Sequence, residues 1–177
     1  MIPMLIINGE EIDNLVLTGM PGAGKSTVGV LLAKRLCMEF IDTDLVLQCQ
    51  MCMPLHALIE KHGLRGFLAI EEKAVATVDA AGAVIATGGS VVYSACAMRH
   101  LSERGLIVFL DTPLAVLEPR LADMGERGVA ITEGQTLAGL YGARKPLYQR
   151  WARITVDCGK MTPSEVAEEI LQRLGLW

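Results

Sequence analysis

Gly19-Met20-Pro21-Gly22-Ala23-Gly24-Lys25-Ser26-Thr27 fills every fixed position of a GxxxxGK[ST] phosphate-binding loop. Before it, Leu15-Val16-Leu17 is a short apolar run that reads as a buried strand, and residues 28–36 after it carry apolar side chains at helical spacing. A strand, a glycine turn and a helix in that order suit anion binding. The glycines let backbone N–H groups wrap a phosphate, and the opening helix points its positive dipole end at the same charge. Lys25 can reach the β- and γ-phosphates, and the Ser26 hydroxyl is placed to ligate Mg²⁺. The stretch predicts a site for a nucleoside triphosphate.

The rest of the chain continues the alternation. Strands are expected at 15–18, 40–42, 83–87, 106–111 and 154–157, most of them nearly continuous apolar runs. Helices are expected at 25–36, 54–61, 64–78, 94–103, 113–122 and 136–151. A last one opens at Thr162-Pro163-Ser164-Glu165, where Thr162 caps, Pro163 takes the first helical position and Glu165 completes a capping box. The pattern is that of a three-layer α/β domain with helices on both faces of a parallel sheet, and ligands at the carboxyl ends of the strands. At 177 residues it is expected to be a single domain, 1–177. Residues 1–12 precede the first strand and are read as an extra edge strand or a hairpin. Residues 123–135, glycine-rich, charged and weakly periodic between two good helices, are read as a lid, which a phosphoryl transferase needs to exclude water.

Composition narrows the partners. A net charge of −4 with no basic block argues against a life on nucleic acid or an anionic membrane. No apolar stretch approaches the ~20 residues of a membrane span, and the N-terminus lacks the flank and length of a signal peptide. A cytoplasmic, monomeric protein is expected. The cysteines number five, an odd count without framework spacing, so free thiols are the default, the Cys49-x-x-Cys52 pair included.

Other residues gather chemistry around the loop. Asp42-Thr43-Asp44 ends the second strand, and residues two apart in an extended segment point the same way. Asp42 is expected to hold Mg²⁺ with Ser26, and Asp44 to take the proton of an attacking hydroxyl; an Asx-type turn opening a helix is the competing reading. Thr87-Gly88-Gly89-Ser90 follows the third strand, where paired glycines admit a ligand or simply make a turn. Arg127 in the lid can neutralise charge on a transferred phosphoryl group, and Arg120 lies seven residues earlier. Arg144 precedes Pro146 inside a helical stretch. A guanine-nucleotide switch is disfavoured, since there is no Asn-Lys-x-Asp and the Asp79-to-Gly82 motif precedes a strand instead of following one.

Taken together, the phosphate loop, Asp42-Thr43-Asp44, Phe67-x-x-x-Glu71, Ala86-Thr87-Gly88-Gly89, Arg127 and Arg144-x-Pro146-Leu147-Tyr148 resemble the shikimate kinase family. The resemblance runs from about Asn14 to Leu174. It implies a five-stranded parallel sheet flanked by helices, and transfer of the ATP γ-phosphoryl group to the 3-hydroxyl of shikimate on the way to chorismate. It also implies roles. Gly22, Ala23, Gly24, Lys25, Ser26 and Thr27 hold the triphosphate, with Ser26 and Asp42 on the Mg²⁺ side. Asp44 binds the substrate hydroxyls and serves as base, Gly88 and Gly89 line the substrate pocket, and Arg144 meets the substrate carboxylate. Arg127 reaches over the phosphates and Arg120 packs on adenine.

The chain departs from the family pattern at named positions. Leu68 stands where the family usually has an arginine that helps clamp the carboxylate, and Arg65, three residues earlier, is the candidate replacement. Ser90 stands where a third glycine is usual, Gly128 follows the lid arginine where proline is common, and Pro119 is expected to kink the helix before Arg120. Leu68 keeps open an alternative acceptor, another hydroxylated acid or a polyol.

Overall fold

The computed structural model describes residues 5–7, 9–124 and 136–176. Its main sheet has five parallel strands, built from β3 (Asn14–Thr18), β4 (Glu39–Asp42), β5 (Ala83–Ala86), β6 (Gly105–Asp111) and β7 (Ile154–Asp157), in the order β4-β5-β3-β6-β7. The expected strands are all present within a residue or two. Strand β3 is central. Its residues alternate between faces: Leu15 and Leu17 join one buried apolar cluster, and Val16 joins the other. The first cluster takes Val28 and Leu32 of helix α1 (Lys25–Leu36) and Val166, Ile170 and Leu171 of α7 (Pro163–Arg173). The second takes Val75 of α3 (Leu55–Ala76) and Ala97, Met98 and Leu101 of α4 (Ala95–Arg104). Burial on both faces explains why the strands read as unbroken apolar runs.

Because order in the sheet reverses on either side of β3, a crevice opens beyond its carboxyl end, where the phosphate loop leads into α1. At the opposite end Asn14 stitches three segments together. Its amide donates to the carbonyls of Ala80 and Arg104 and accepts from the Ala83 N–H. The capping box at α7 is formed as expected.

Residues of the 1–12 segment form a hairpin of β1 (Leu5–Ile7) and β2 (Glu10–Ile12), paired antiparallel to each other and separate from the main sheet. Helices expected at 54–61 and 64–78 share one hydrogen-bonded run, α3, with non-helical backbone at Gly63 between them. Helix α5 (Leu114–Met124) runs through Pro119, and α6 (Leu137–Trp151) through Pro146. Helix α5 therefore enters the first two residues of the expected lid, while 125–135, with Arg127, lie outside the described residues. No helix among the described residues is long and apolar enough to cross a membrane. All five cysteines are free, Cys49 and Cys52 among them, and no described cluster of His, Cys, Asp and Glu forms a metal cage.

Candidate active site

The phosphate loop has the backbone its glycines are needed for. Gly22 and Gly24 take φ of 77° and 90°, a region that favours glycine, and Gly24 leads directly into α1. Ala23 is buried, with its N–H on the Met20 carbonyl at 3.1 Å, while Ser26 and Thr27 are exposed on the first turn of α1. No residue of that turn is itself acidic, so the positive end of the helix meets negative charge only from outside the helix. Lys25 is buried, and its ammonium donates to the carbonyls of Gly19 and Met20, each at 2.9 Å. Burial pulls its pKa down to about 8, against the raising influence of Asp44 and Asp42. A bound polyphosphate would hold the charge on. The Arg120 guanidinium donates to the Gly22 carbonyl at 3.0 Å, which lays it across the loop.

Asp42 makes the helix-opening turn that was the competing reading, and it also touches Ser26. It is the N-cap of α2 (Thr43–Met51), with Oδ1 accepting the Asp44 N–H at 3.0 Å, and Oδ2 accepts the Ser26 hydroxyl at 2.7 Å. The expectation that Asp44 extends the strand is corrected. Capping by Asp42 turns the chain into a helix at Thr43, so Asp44 belongs to the first turn of α2. It still joins Asp42 beside Lys25. Burial raises the Asp44 pKa to about 6, with Lys25 opposing and Asp42 reinforcing the shift. Ser26 and Asp42 offer hard oxygen donors, one hydroxyl and one carboxylate. That set suits a divalent cation completed by phosphate oxygens and water.

The glycine pair forms the other wall. A Cβ on Gly88 would lie 2.5 Å from Glu71 Oε1 and 2.6 Å from Asp44 Oδ1, so only glycine lets both carboxyls approach. The Gly88 N–H donates to the Thr43 hydroxyl at 2.9 Å, tying this turn to α2. The Tyr148 hydroxyl donates to the Gly89 carbonyl at 2.6 Å, and its ring stacks on Phe109 of β6. Arg144, one turn earlier on α6, is 1% exposed and lies over the Tyr93 ring at 5.0 Å. Its guanidinium also borders Gly89. Lys145 points elsewhere, onto Asp111 at 2.8 Å.

Thus Lys25, Ser26, Asp42, Asp44, Gly88, Gly89 and Arg144 come together at the carboxyl ends of β3, β4 and β5. Arg65 does not join them: it is exposed and has no hydrogen bond or ion pair within the described residues. Leu68 is half-buried and packs into a small apolar cluster with Leu47, Leu58 and Phe67. The motif spacing placed Glu71 and Tyr148 in the family pattern but gave them no role, Ser90 was noted only as a departure that adds a side chain near the pocket, and Thr43 and Tyr93 were missed as site residues. Tyr148 had a signal, since it lies four residues after Arg144 and so on its face of α6.

Comparison with known proteins agrees with this geometry. The shikimate kinase family model matches residues 21–175. The chain belongs to the shikimate kinase family. A shikimate kinase of Psychrobacter cryohalolentis is 34% identical over 168 residues, covering 93% of this chain and 90% of that protein. Shikimate kinase 2 of Yersinia pseudotuberculosis is 36% identical over 169 residues, covering 92% and 95%. The solved shikimate kinase of Acinetobacter baumannii in complex with shikimate superposes with a TM-score of 0.85 at 32% identity, covering 91% of this chain and 92% of its own. Family membership makes the chain an ATP-dependent phosphotransferase with an alcohol acceptor, working with a divalent metal, and does not favour the alternative acceptor that Leu68 suggested.

Glu71 supplies a stability prediction. It is 4% exposed, and burial lifts its pKa to about 8, partly countered by the Ser90 hydrogen bond. Between pH 4.5 and 8 the unfolded chain releases this proton while the folded chain keeps it, so stability falls as pH rises through that window and levels off above it. Asp44 adds a shift of the same sign below pH 6, and Lys25 acts only above pH 8. Glu71→Gln keeps an acceptor for Ser90 and cannot ionise. Its stability relative to the parent is expected to rise from pH 5 to pH 8 by on the order of a few kcal/mol, read by urea denaturation at both values. Equal differences at the two would refute the assignment.

Proposed function

We propose that the chain transfers the γ-phosphoryl group of ATP to the 3-hydroxyl of shikimate, a step towards chorismate, in the cytoplasm. The observation that carries this reading is the convergence of Asp44, Glu71 and Arg144 on the Gly88–Gly89 turn, beside a complete phosphate loop. An acidic group for hydroxyls and a buried guanidinium for a carboxylate suit a hydroxylated acid. The free cysteines fit a reducing compartment. The enzyme is taken to act as a monomer.

The residues divide the work. The loop amides and Lys25 hold and orient the triphosphate, and Arg120, which donates to the Gly22 carbonyl, is assigned to cover the adenine. Ser26 and Asp42 would hold Mg²⁺, whose charge offsets that of the phosphates. Asp44 accepts the hydroxyl proton as the oxygen attacks phosphorus. Arg127, from the proposed lid, adds a second positive group, and closure excludes water. There is little covalent chemistry for the protein to do, so positioning and electrostatics carry the rate.

ADP release with shikimate, set against a panel of hydroxy acids and sugars, tests the acceptor. Shikimate-dependent release is expected, and none at millimolar shikimate would overturn the reading. Leu68→Arg is expected to lower the KM for shikimate by about tenfold, because a charged hydrogen bond contributes roughly 1.5–3 kcal/mol. An unchanged or higher KM would count against the assignment.

A further inference from the structure

Ser90 and Glu71 form a buried pair beside the acceptor wall. Ser90 is 5% exposed and Glu71 4%. The serine hydroxyl donates to Glu71 Oε1 at 2.8 Å. Ser90 follows the glycine pair and precedes the short 3-10 turn Val91–Tyr93, while Glu71 hangs from α3. Glu71 Oε1 and Asp44 Oδ1 both crowd the face of Gly88, at 2.5 and 2.6 Å from a built Cβ, and hence within about 5 Å of each other.

Positions 68 and 71 lie three apart on α3 and share a helix face, so an arginine at 68 would pair with Glu71 from within its own helix. Leu68 cannot. A buried carboxyl left without a partner is strongly disfavoured and would turn away or draw in water. The residue that departs from glycine at position 90 meets that need. We infer that Ser90 is a specificity-determining positioning residue: its hydroxyl replaces the arginine absent at position 68 as the partner that holds the Glu71 carboxyl against the acceptor pocket. The assignment rests on reading the Gly88–Gly89 turn as the acceptor's wall.

The groups facing Glu71 are Ser90, Asp44 from α2, Arg144 from α6 and Lys25 from α1. None of the charged ones lies on its own helix, so the Ser90 bond is the direct hydrogen bond that ties it to the turn. Ser90 has φ −91°, ordinary right-handed backbone, so alanine removes the hydroxyl without strain.

In steady-state assays Ser90→Ala is expected to raise the KM for shikimate about tenfold, with kcat and the KM for ATP changed far less. In a Leu68→Arg background the same substitution is expected to raise it less than about twofold, because Glu71 then has its other partner. A wild-type KM in Ser90→Ala, or an equal penalty in both backgrounds, would overturn the inference. A second arm needs no acceptor. With ¹³C-labelled glutamate followed by NMR, the Glu71 carboxyl is expected to titrate higher in Ser90→Ala and lower in Leu68→Arg. An unmoved midpoint in Ser90→Ala would overturn the pairing. The expected shifts in a chain that shows no turnover of shikimate would uphold the pairing and overturn only the proposed reaction.

Discussion

Lys25→Met is expected to reduce turnover by about a thousandfold or more while leaving the chain folded. Methionine matches the length of the lysine stem but carries no charge and no donor. The lost ammonium stands at the start of α1, buried and directed onto the loop carbonyls of Gly19 and Met20. In such a desolvated place a donor aimed at developing phosphate charge is worth far more than in water, about 10²–10³ in kcat for one preorganised hydrogen bond and up to about 10⁵ for a cation on a transferring phosphoryl group. Stability should move little, because the lysine already bears a desolvation penalty, visible in its pKa of about 8. Coupled ADP-release kinetics and thermal denaturation read the two effects separately. Turnover within tenfold of the parent would remove Lys25 from the mechanism, and a collapsed melting transition would make the loss a folding defect.

Legibility in the sequence followed the range of the interactions involved. Buried parallel strands announce themselves as apolar runs, and the phosphate loop is a local device whose ligands are its own backbone, so fold and nucleotide half were readable. Gly63 was readable too: the break expected between 61 and 64 is a non-helical residue inside α3. Asp42 and Asp44 were placed correctly for an incomplete reason. Alternation along a strand suggested that they face one way, whereas the helix cap made by Asp42 brings Asp44 round.

The acceptor half was harder because its contacts are long-range. Ser90 meets Glu71 across 19 positions, Thr43 meets Gly88 across 45 and Tyr148 meets Gly89 across 59. No periodicity encodes such pairs. Arg65 shows the opposite failure, where helical spacing offered a neighbour for position 68 but could not say which side of the helix faces solvent. Nor could spacing foresee that Leu68 would join the apolar packing of Leu47, Leu58 and Phe67.

Asp44→Asn should leave Mg²⁺·ATP binding close to the parent's and cut kcat by about 10²–10⁴, the usual contribution of a positioned general base. Asparagine keeps the shape and the first-turn position on α2, so Asp42 retains its cap on the N–H of residue 44 and its bond to Ser26. What disappears is the proton acceptor. The pH profile separates this role from simple binding of hydroxyls. Burial raises the Asp44 pKa to about 6, so the parent's kcat/KM is expected to fall about tenfold per pH unit below 6, as the carboxylate takes up a proton it must have free. In Asp44→Asn that acid limb should flatten, leaving a low, nearly pH-independent rate across pH 5 to 7. If Asp44 only held the acceptor, its loss would raise the KM for shikimate and leave kcat and the acid limb in place. Calorimetric titration with Mg²⁺·ATP and single-turnover phosphoryl transfer at pH 5, 6 and 7 distinguish the cases. A kcat within a few-fold of the parent, or an acid limb that survives the substitution, would take the proton away from Asp44.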